Sequence, residues 1–485
     1  MRIIECGGVW VGPGRPPLGP TRIYIAEGSI EEIEDAPEIR SDLFVVPAFV
    51  DAHCHFVWSG LETILVDLGG AASPRGLLDI VAREKDSERT GEVLRGFGFD
   101  ESTWEDRRLP SLEELDGVSA GRPVILKRVC GHAALVNSRI LEQLPGDAPG
   151  LDRSTGLIHE GVIFDLEKLF PPEPRLLRQA CRNAVRMAQE AGVTSVFTYE
   201  SYMTAKVLRD SKPGLRTSVC LYGREVLEDP RGSALKEASG LKFFLDGSIG
   251  AATAAMKVPY SDGTEVEPIM SEDEVMEALE LSESLKLVPN FHAIGGRALE
   301  LLDRVSGRFL ASRGGRLTTG IRVEHAEELK ACWPGSWDSE VHLFVMQPNF
   351  VSRWQMEGGL YQQKLGREAG RGLSPFRTLV DADFRIAFGS DGMPFGPLAG
   401  LSGATEHPDP EQRLTVDEAL YAYTLEAASV CGFREVAGSL RPERTADLAV
   451  LSGNPYTTPW SELEVVGTIY KGKVVHEKVQ VLQEL

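Results

Sequence analysis

The sequence predicts an α/β protein: a closed (β/α)8 barrel, a small composite β-sandwich domain from both termini, and an α/β insertion after barrel strand 1. Three observations predict it. Eight short, apolar, β-branched runs recur between residues 45 and 391, most of them separated by helical patterns. Strand-like runs with glycine turns occupy both chain ends. The interval between the first and second runs is too long for one crossover helix.

At the N-terminal end, runs at 22–26 and 29–33 flank Glu27-Gly28, a tight-hairpin signal. At the far end, runs at 446–451 and 466–470 are strand-like, and Lys471-Gly472 marks a turn. Neither end can bury a core alone. Residues 1–48 and 441–485 are therefore expected to pair into one composite β-domain, with the barrel of residues 49–440 between them.

The eight barrel strands are expected at 45–55, 192–198, 216–222, 241–246, 288–292, 321–325, 341–346 and 385–391. Eight such units argue for a TIM-like barrel over an open sheet. Among the helices, Pro174 to Glu190 carries Leu177, Ala180, Cys181, Ala184 and Ala188 at helical spacing. Ser271 and Glu274 form a capping-box pattern ahead of Val275, Ala278 and Leu279. Ala298, Leu302, Val305 and Phe309 make another stripe, and an extra helix over 415–430 opens with Thr415 and Glu418. Residues 57–170 form the insertion, with a strand over 123–128; its attachment point predicts a lid or pocket wall at the barrel's C-terminal mouth.

The 485 residues are 42% hydrophobic and carry a formal net charge of −21. That charge argues against nucleic acid and anionic membranes as partners, since both require a basic face. No run approaches a membrane span, and residues 1–6 lack the features of a signal peptide. The seven cysteines are scattered without a Cys-x-x-Cys, which predicts a reduced, cytoplasmic compartment.

The chemistry is expected at the C-terminal ends of the strands. His53 and His55 share one face of the first strand because side chains alternate, and Cys54 faces the other way. With nine histidines in the chain, one His-x-His pair alone is weak evidence. The fifth strand, however, ends in His292, the sixth in His325 and the eighth in Asp391, while the fourth carries Lys242. The other histidines act as controls: His342 opens its strand at the opposite mouth, and His159, His407 and His476 lie outside the barrel strands. Imidazole and carboxylate at converging positions point to a divalent metal. A lysine in an apolar strand is usually a paired cation or a snorkelling edge residue. Beside metal ions it would repel them unless neutral, and a neutral amine can add carbon dioxide to give a carbamate able to bridge two cations. Asp51 is expected to orient a ligand or to cap the strand. His132, Tyr199, Asp246, Gln347 and Asn349 are the expected substrate-pocket residues, Asp246 on the assumption that its strand continues past Lys242.

Pro47-x-x-x-Asp51-x-His53-x-His55, Lys242, His292, Glu324-His325-Ala326, Gly389-Ser390-Asp391 and Ala446-Asp447-Leu448 together resemble the metal-dependent amidohydrolase superfamily. Lys242 to Ser248, Gly131-His132-x-x-x-x-Asn137-Ser138 and Thr155-Gly156-x-x-x-Glu160 are similar to the branch that includes N-substituted formamide deformylases. The resemblance implies that His53, His55 and Asp391 hold one metal and His292 and His325 a second, with carboxylated Lys242 bridging them. Two Zn2+ ions are the leading assignment; a single metal, or iron, manganese or nickel, suits the same donors. It further implies a metal-activated hydroxide attacking a non-peptide carbon–nitrogen bond of a small molecule, with Asp391 moving the proton. The same metal site could instead cleave an ester, lactone or phosphoester. A non-catalytic scaffold ranks last, because none of the six ligands is missing. One departure stands out: Ala251-Ala252 precede Thr253 where similar sequences carry an arginine, so anchoring by that arginine does not carry over. A homodimer is the default expectation for assembly.

Overall fold

The computed structural model describes all residues except 130, 132, 147–149, 160, 231, 482 and 485. His132 and Glu160 thus lie outside the described residues.

Eight strands run side by side in chain order, every neighbouring pair parallel. They are β1 (Phe49–Cys54), β2 (Val193–Glu200), β3 (Arg216–Tyr222) and β4 (Ala238–Phe244). β5 (Val288–Ala293), β6 (Ile321–His325), β7 (His342–Met346) and β8 (Ile386–Phe388) complete the set. β8 meets β1 where the Asp391 N–H donates to the His53 carbonyl at 2.7 Å, so the sheet is a nearly closed TIM-like barrel. Its strands are buried along most of their length, which explains their apolar runs. The approach of β8 to β1 needs a glycine: a Cβ on Gly389 would fall 2.3 Å from the His53 nitrogen.

Helices follow the sequence signals closely. Ser271 and Glu274 make the reciprocal capping box of helix Glu272–Leu285, which buries Val275, Ala278 and Leu279. Helix Gly296–Ser312 buries Ala298, Leu302, Val305 and Phe309.

Four differences from the expected elements stand out. The run expected as one strand over 45–55 is two: Phe44–Pro47 pairs with Leu448–Leu451 in a terminal sheet, and only Phe49–Cys54 enters the barrel. The chain changes sheet around Pro47, whose ring removes a ladder donor. β4 stops at Phe244, before Asp246, and β8 stops at Phe388, before Asp391. The extra helix is two, Val416–Tyr423 and Leu425–Val430, broken at Thr424 (φ −123°, ψ −91°).

Both termini contribute to two further sheets. Arg2–Cys6, Thr21–Ala26, Ser29–Asp35 and Gln483–Glu484 form one. Gly8–Val9, Phe44–Pro47, Leu448–Leu451, Val465–Tyr470 and Lys473–Glu477 form the other. Ile4, Ile23, Ile25, Val45, Leu448, Val450 and Ile469 share their core. Glu27 and Gly28, and again Lys471 and Gly472, take the paired positive φ of a two-residue hairpin turn.

The chain divides into two compact units. One holds the barrel together with the terminal sheets: Met1–Phe56, Ala184–Asp246 and Ala254–Leu485. The other is Val57–Asn183 with Gly247–Thr253. It carries a six-stranded mixed sheet, with Leu94–Phe99 and Val124–Arg128 adjacent and Leu77, Leu78, Val81 and Leu115 packed in its core. Among the described residues no helix is long and apolar enough to cross a membrane.

Candidate metal centre

The end of β1 sets the site. Both strand-one histidines aim at the same group: His53 Nε2 lies 3.4 Å and His55 Nε2 3.3 Å from Asp391 Oδ1. Cys54 faces away, with its Sγ against the Phe197 carbonyl at 3.6 Å. This is the period-two alternation of a strand acting on three consecutive side chains.

The other strand ends complete the cluster. Donor atoms of His53, His325 and Asp391 all lie within 4.8 Å of one another. The ring centroids of His292 and His325 are 4.3 Å apart, and those of His53 and His325 4.9 Å. Turning these side chains inward needs unusual backbone: His325 (φ 72°), Ala326 (φ 51°) and Asp391 (φ 52°) are all left-handed without being glycine. Such conformations cost roughly 1–3 kcal/mol each and gather where function imposes them. By contrast, His342 sits at the opposite end of its strand, bonded to Ser306 Oγ at 3.1 Å and to the Asp338 backbone.

The protonation states suit a cation. Burial lowers the basicity of His55 and drives His325 far below the ordinary imidazole range, helped by His292 and His53. Burial opposes ionisation of Asp391, but His53 and His55 outweigh it and hold the carboxyl well below the usual range. Burial also brings the Lys242 ammonium down to about 8, against the pull of Glu324 and Asp391. Neutral imidazoles, an ionised carboxylate and an easily neutralised amine form the donor set a divalent cation takes. The buried Nε2 of His53 and Nδ1 of His325 have no hydrogen-bond partner, and a cation fits that need.

Supporting residues surround these donors. Lys242, Asn290 and Arg322 fall in one register row of the barrel, and His292 and Glu324 in the next. Asp51 is a brace: its carboxylate accepts from the backbone of His53 and of Ser390, and from the Ser390 hydroxyl. Burial pushes its pKa up to about 6 against these bonds. Glu324 Oε2 lies 2.6 Å from His53 Nδ1, and Arg322 Nε donates to Glu324 Oε1 at 2.9 Å. Tyr222 Oη lies 3.1 Å from His55 Nδ1.

The described pocket candidates are all buried near the ends of the barrel strands. Tyr199, 1% exposed, packs its ring 4.5 Å from that of His53, with Lys242 Nζ 4.2 Å from its centroid. Asp246 is fully buried and accepts from the backbone N–H groups of Ala255, Ile294 and Gly295 at 2.8–3.0 Å. Because β4 ends at Phe244, Asp246 is not on a continuing strand face; it satisfies loop donors that would otherwise be buried and unpaired. Asn349, also fully buried, donates to the carbonyls of Ser390 and Met393, and Gln347 donates to the Val345 carbonyl at 3.3 Å. Arg322, Glu324 and Tyr222 received no role from sequence reasoning. The available signal was a pair of opposite charges two residues apart in an otherwise apolar strand, which places both on one buried face.

Comparison with known proteins agrees with this architecture. The model of the amidohydrolase family matches residues 41–476. The chain is 26% identical to YtcJ of Bacillus subtilis (strain 168), named as an amidohydrolase, over 93% of this chain and 94% of that one. It is 24% identical to the N-substituted formamide deformylase of Arthrobacter pascens, over 90% and 88% of the two chains. The fold matches that of an uncharacterized metal-dependent hydrolase from Pyrococcus furiosus, with TM-score 0.70 and 24% identity over 94% of this chain and 99% of that one. With a family match spanning the whole barrel and most of the second terminal sheet, the chain belongs to the amidohydrolase family.

Proposed function

We propose that this protein is a metal-dependent hydrolase that cleaves a non-peptide, amide-type carbon–nitrogen bond of a small molecule. The observation that carries the reading is the convergence of His53, His325 and Asp391 donor atoms within 4.8 Å, with His55 beside them. Family membership supports it, as does the name of the Arthrobacter relative, a deformylase of N-substituted formamides.

His53, His55 and Asp391 would hold one divalent cation, and His292 and His325 a second. Zinc is the leading choice for these imidazole and carboxylate donors. When bound, such a cation supplies Lewis acidity, acidifying water and polarising a carbonyl. Lys242, desolvated and with a pKa of about 8, would add carbon dioxide: its nitrogen bonds to carbon as one C=O π bond opens, a proton passes to solvent, and the carbamate would offer anionic oxygen donors to the cations. Asp391, held ionised beside two imidazoles, would accept the proton of the attacking water and return it to the departing amine nitrogen. Burial of the donor atoms keeps bulk water from competing for them.

Metal analysis and a substrate panel test the reading. Protein expressed with ample zinc should contain about two metals per chain, lose activity with a chelator and regain it with zinc. Fewer than about one metal per chain would sink the proposal. On the panel, N-formyl amines and acylated amino acids should be turned over faster than aryl esters, lactones or phosphoesters; the reverse order would move the assignment to the ester-type reaction.

A further inference from the structure

We infer that Glu324, anchored by Arg322, is a positioning residue that presets His53 as a metal ligand by fixing which ring nitrogen carries the proton. It rests on the reading of His53 as a ligand, and goes beyond it by naming what prepares that ligand before any metal arrives.

The geometry carries the inference. Glu324 is fully buried, and its Oε2 sits 2.6 Å from His53 Nδ1, across 271 residues of chain. An ionised carboxylate only accepts hydrogen bonds, so Nδ1 must be the protonated nitrogen. In a neutral ring Nε2 then carries the lone pair, and it is the ring atom facing Asp391 at 3.4 Å. The second oxygen of Glu324 is taken by Arg322 Nε at 2.9 Å, which keeps the carboxylate charged and stops it from rotating away. Arg322 is itself held: its Nη2 donates to the Ala52 carbonyl at 2.7 Å, and its guanidinium lies 3.9 Å from the centroid of the Phe197 ring. The chain Arg322–Glu324–His53 thus runs from β6 to β1 through charge-assisted bonds. His55 is held differently. Its Nδ1 meets the Tyr222 hydroxyl at 3.1 Å, and a hydroxyl can donate or accept, so that contact does not select a tautomer. A carboxylate behind a ligating imidazole also raises its basicity toward a metal.

Two measurements test it. The first uses the metal-free parent protein with 15N-labelled histidine, observing two-bond proton–nitrogen couplings, with the His53 signals assigned by their loss in His53→Asn. The expected result is a proton held on Nδ1; a ring protonated only at Nε2 overturns the inference without bearing on whether the site binds metal. The second compares zinc affinity by chelator competition. Glu324→Gln should weaken zinc binding by about 10- to 100-fold and change the His53 tautomer signal. Because that variant leaves the Arg322 cation buried and unpaired, the double variant Arg322→Met with Glu324→Gln, which removes both charges together, serves if the single one misfolds. A folded variant with the parent's zinc affinity, or one with weakened binding and the parent's tautomer signal, overturns the role. Failure of the parent to bind zinc would instead defeat the proposed function.

Discussion

Asp51 grips Ser390 twice: Oδ1 accepts the Ser390 backbone N–H at 2.9 Å and Oδ2 accepts its hydroxyl at 2.5 Å. The two residues lie 339 positions apart, and this contact joins the first and last strands of the barrel. It also sets the stem of the loop that delivers Asp391, whose own N–H bonds to the His53 carbonyl. Ring closure and assembly of the proposed ligand set are thus one structural event.

Ser390→Ala should therefore destabilise the fold, since it strips a donor from a buried carboxylate. The expected loss is about 1–3 kcal/mol. Denaturant titration of parent and variant measures it, and an unchanged midpoint would show that the seam does not depend on this bond.

Asp391→Asn keeps the side-chain volume but can no longer take up a proton. The fold should survive, and turnover should fall by roughly 10²–10⁴-fold. Steady-state rates paired with circular dichroism check this; a variant as active as the parent removes Asp391 from the chemistry.

Lys242 should carry a carbamate. Its amine is buried, and desolvation brings its pKa down to about 8, leaving a neutral fraction to react near neutral pH. Protein equilibrated with 13C-labelled bicarbonate and zinc should show a carbamate carbon resonance. Lys242→Arg should lack it and bind about one zinc rather than about two. No such resonance in the parent would mean that the lysine stays an amine.

Glu418 gives a pH dependence away from the site. Burial raises its pKa, but Arg377, at 2.8 Å, and the capping bonds to Thr415 outweigh it and pull the carboxyl down to about 2. A carboxyl lowered on folding stabilises the protein above its unfolded pKa, and that contribution fades as pH falls toward the folded value. The parent should thus be more stable than Glu418→Gln at neutral pH, and the gap should narrow between about pH 4.5 and about pH 2. Denaturation midpoints across that range decide it; a gap that widens on acidification would reverse the sign.

Features set by neighbours along the chain are legible before any coordinates. The pairing of His53 with His55 on one face follows from strand alternation. The caps at Ser271 and Thr415 and the hairpin turns at Glu27-Gly28 and Lys471-Gly472 depend on residues within a few positions of each other. The count of βα units likewise needs only periodicity. Which side chains surround the candidate metal centre, and what each one touches there, depends on contacts between distant parts of the chain. The sequence puts Asp246 on a continuing strand face, whereas β4 ends at Phe244 and three loop N–H groups donate to its carboxylate. Glu324 looked like part of a motif until barrel closure carried it to His53. The physical reason is that periodicity and capping are settled by neighbours along the chain. Distances across a barrel depend on the tilt and stagger of all eight strands together, which no single segment encodes.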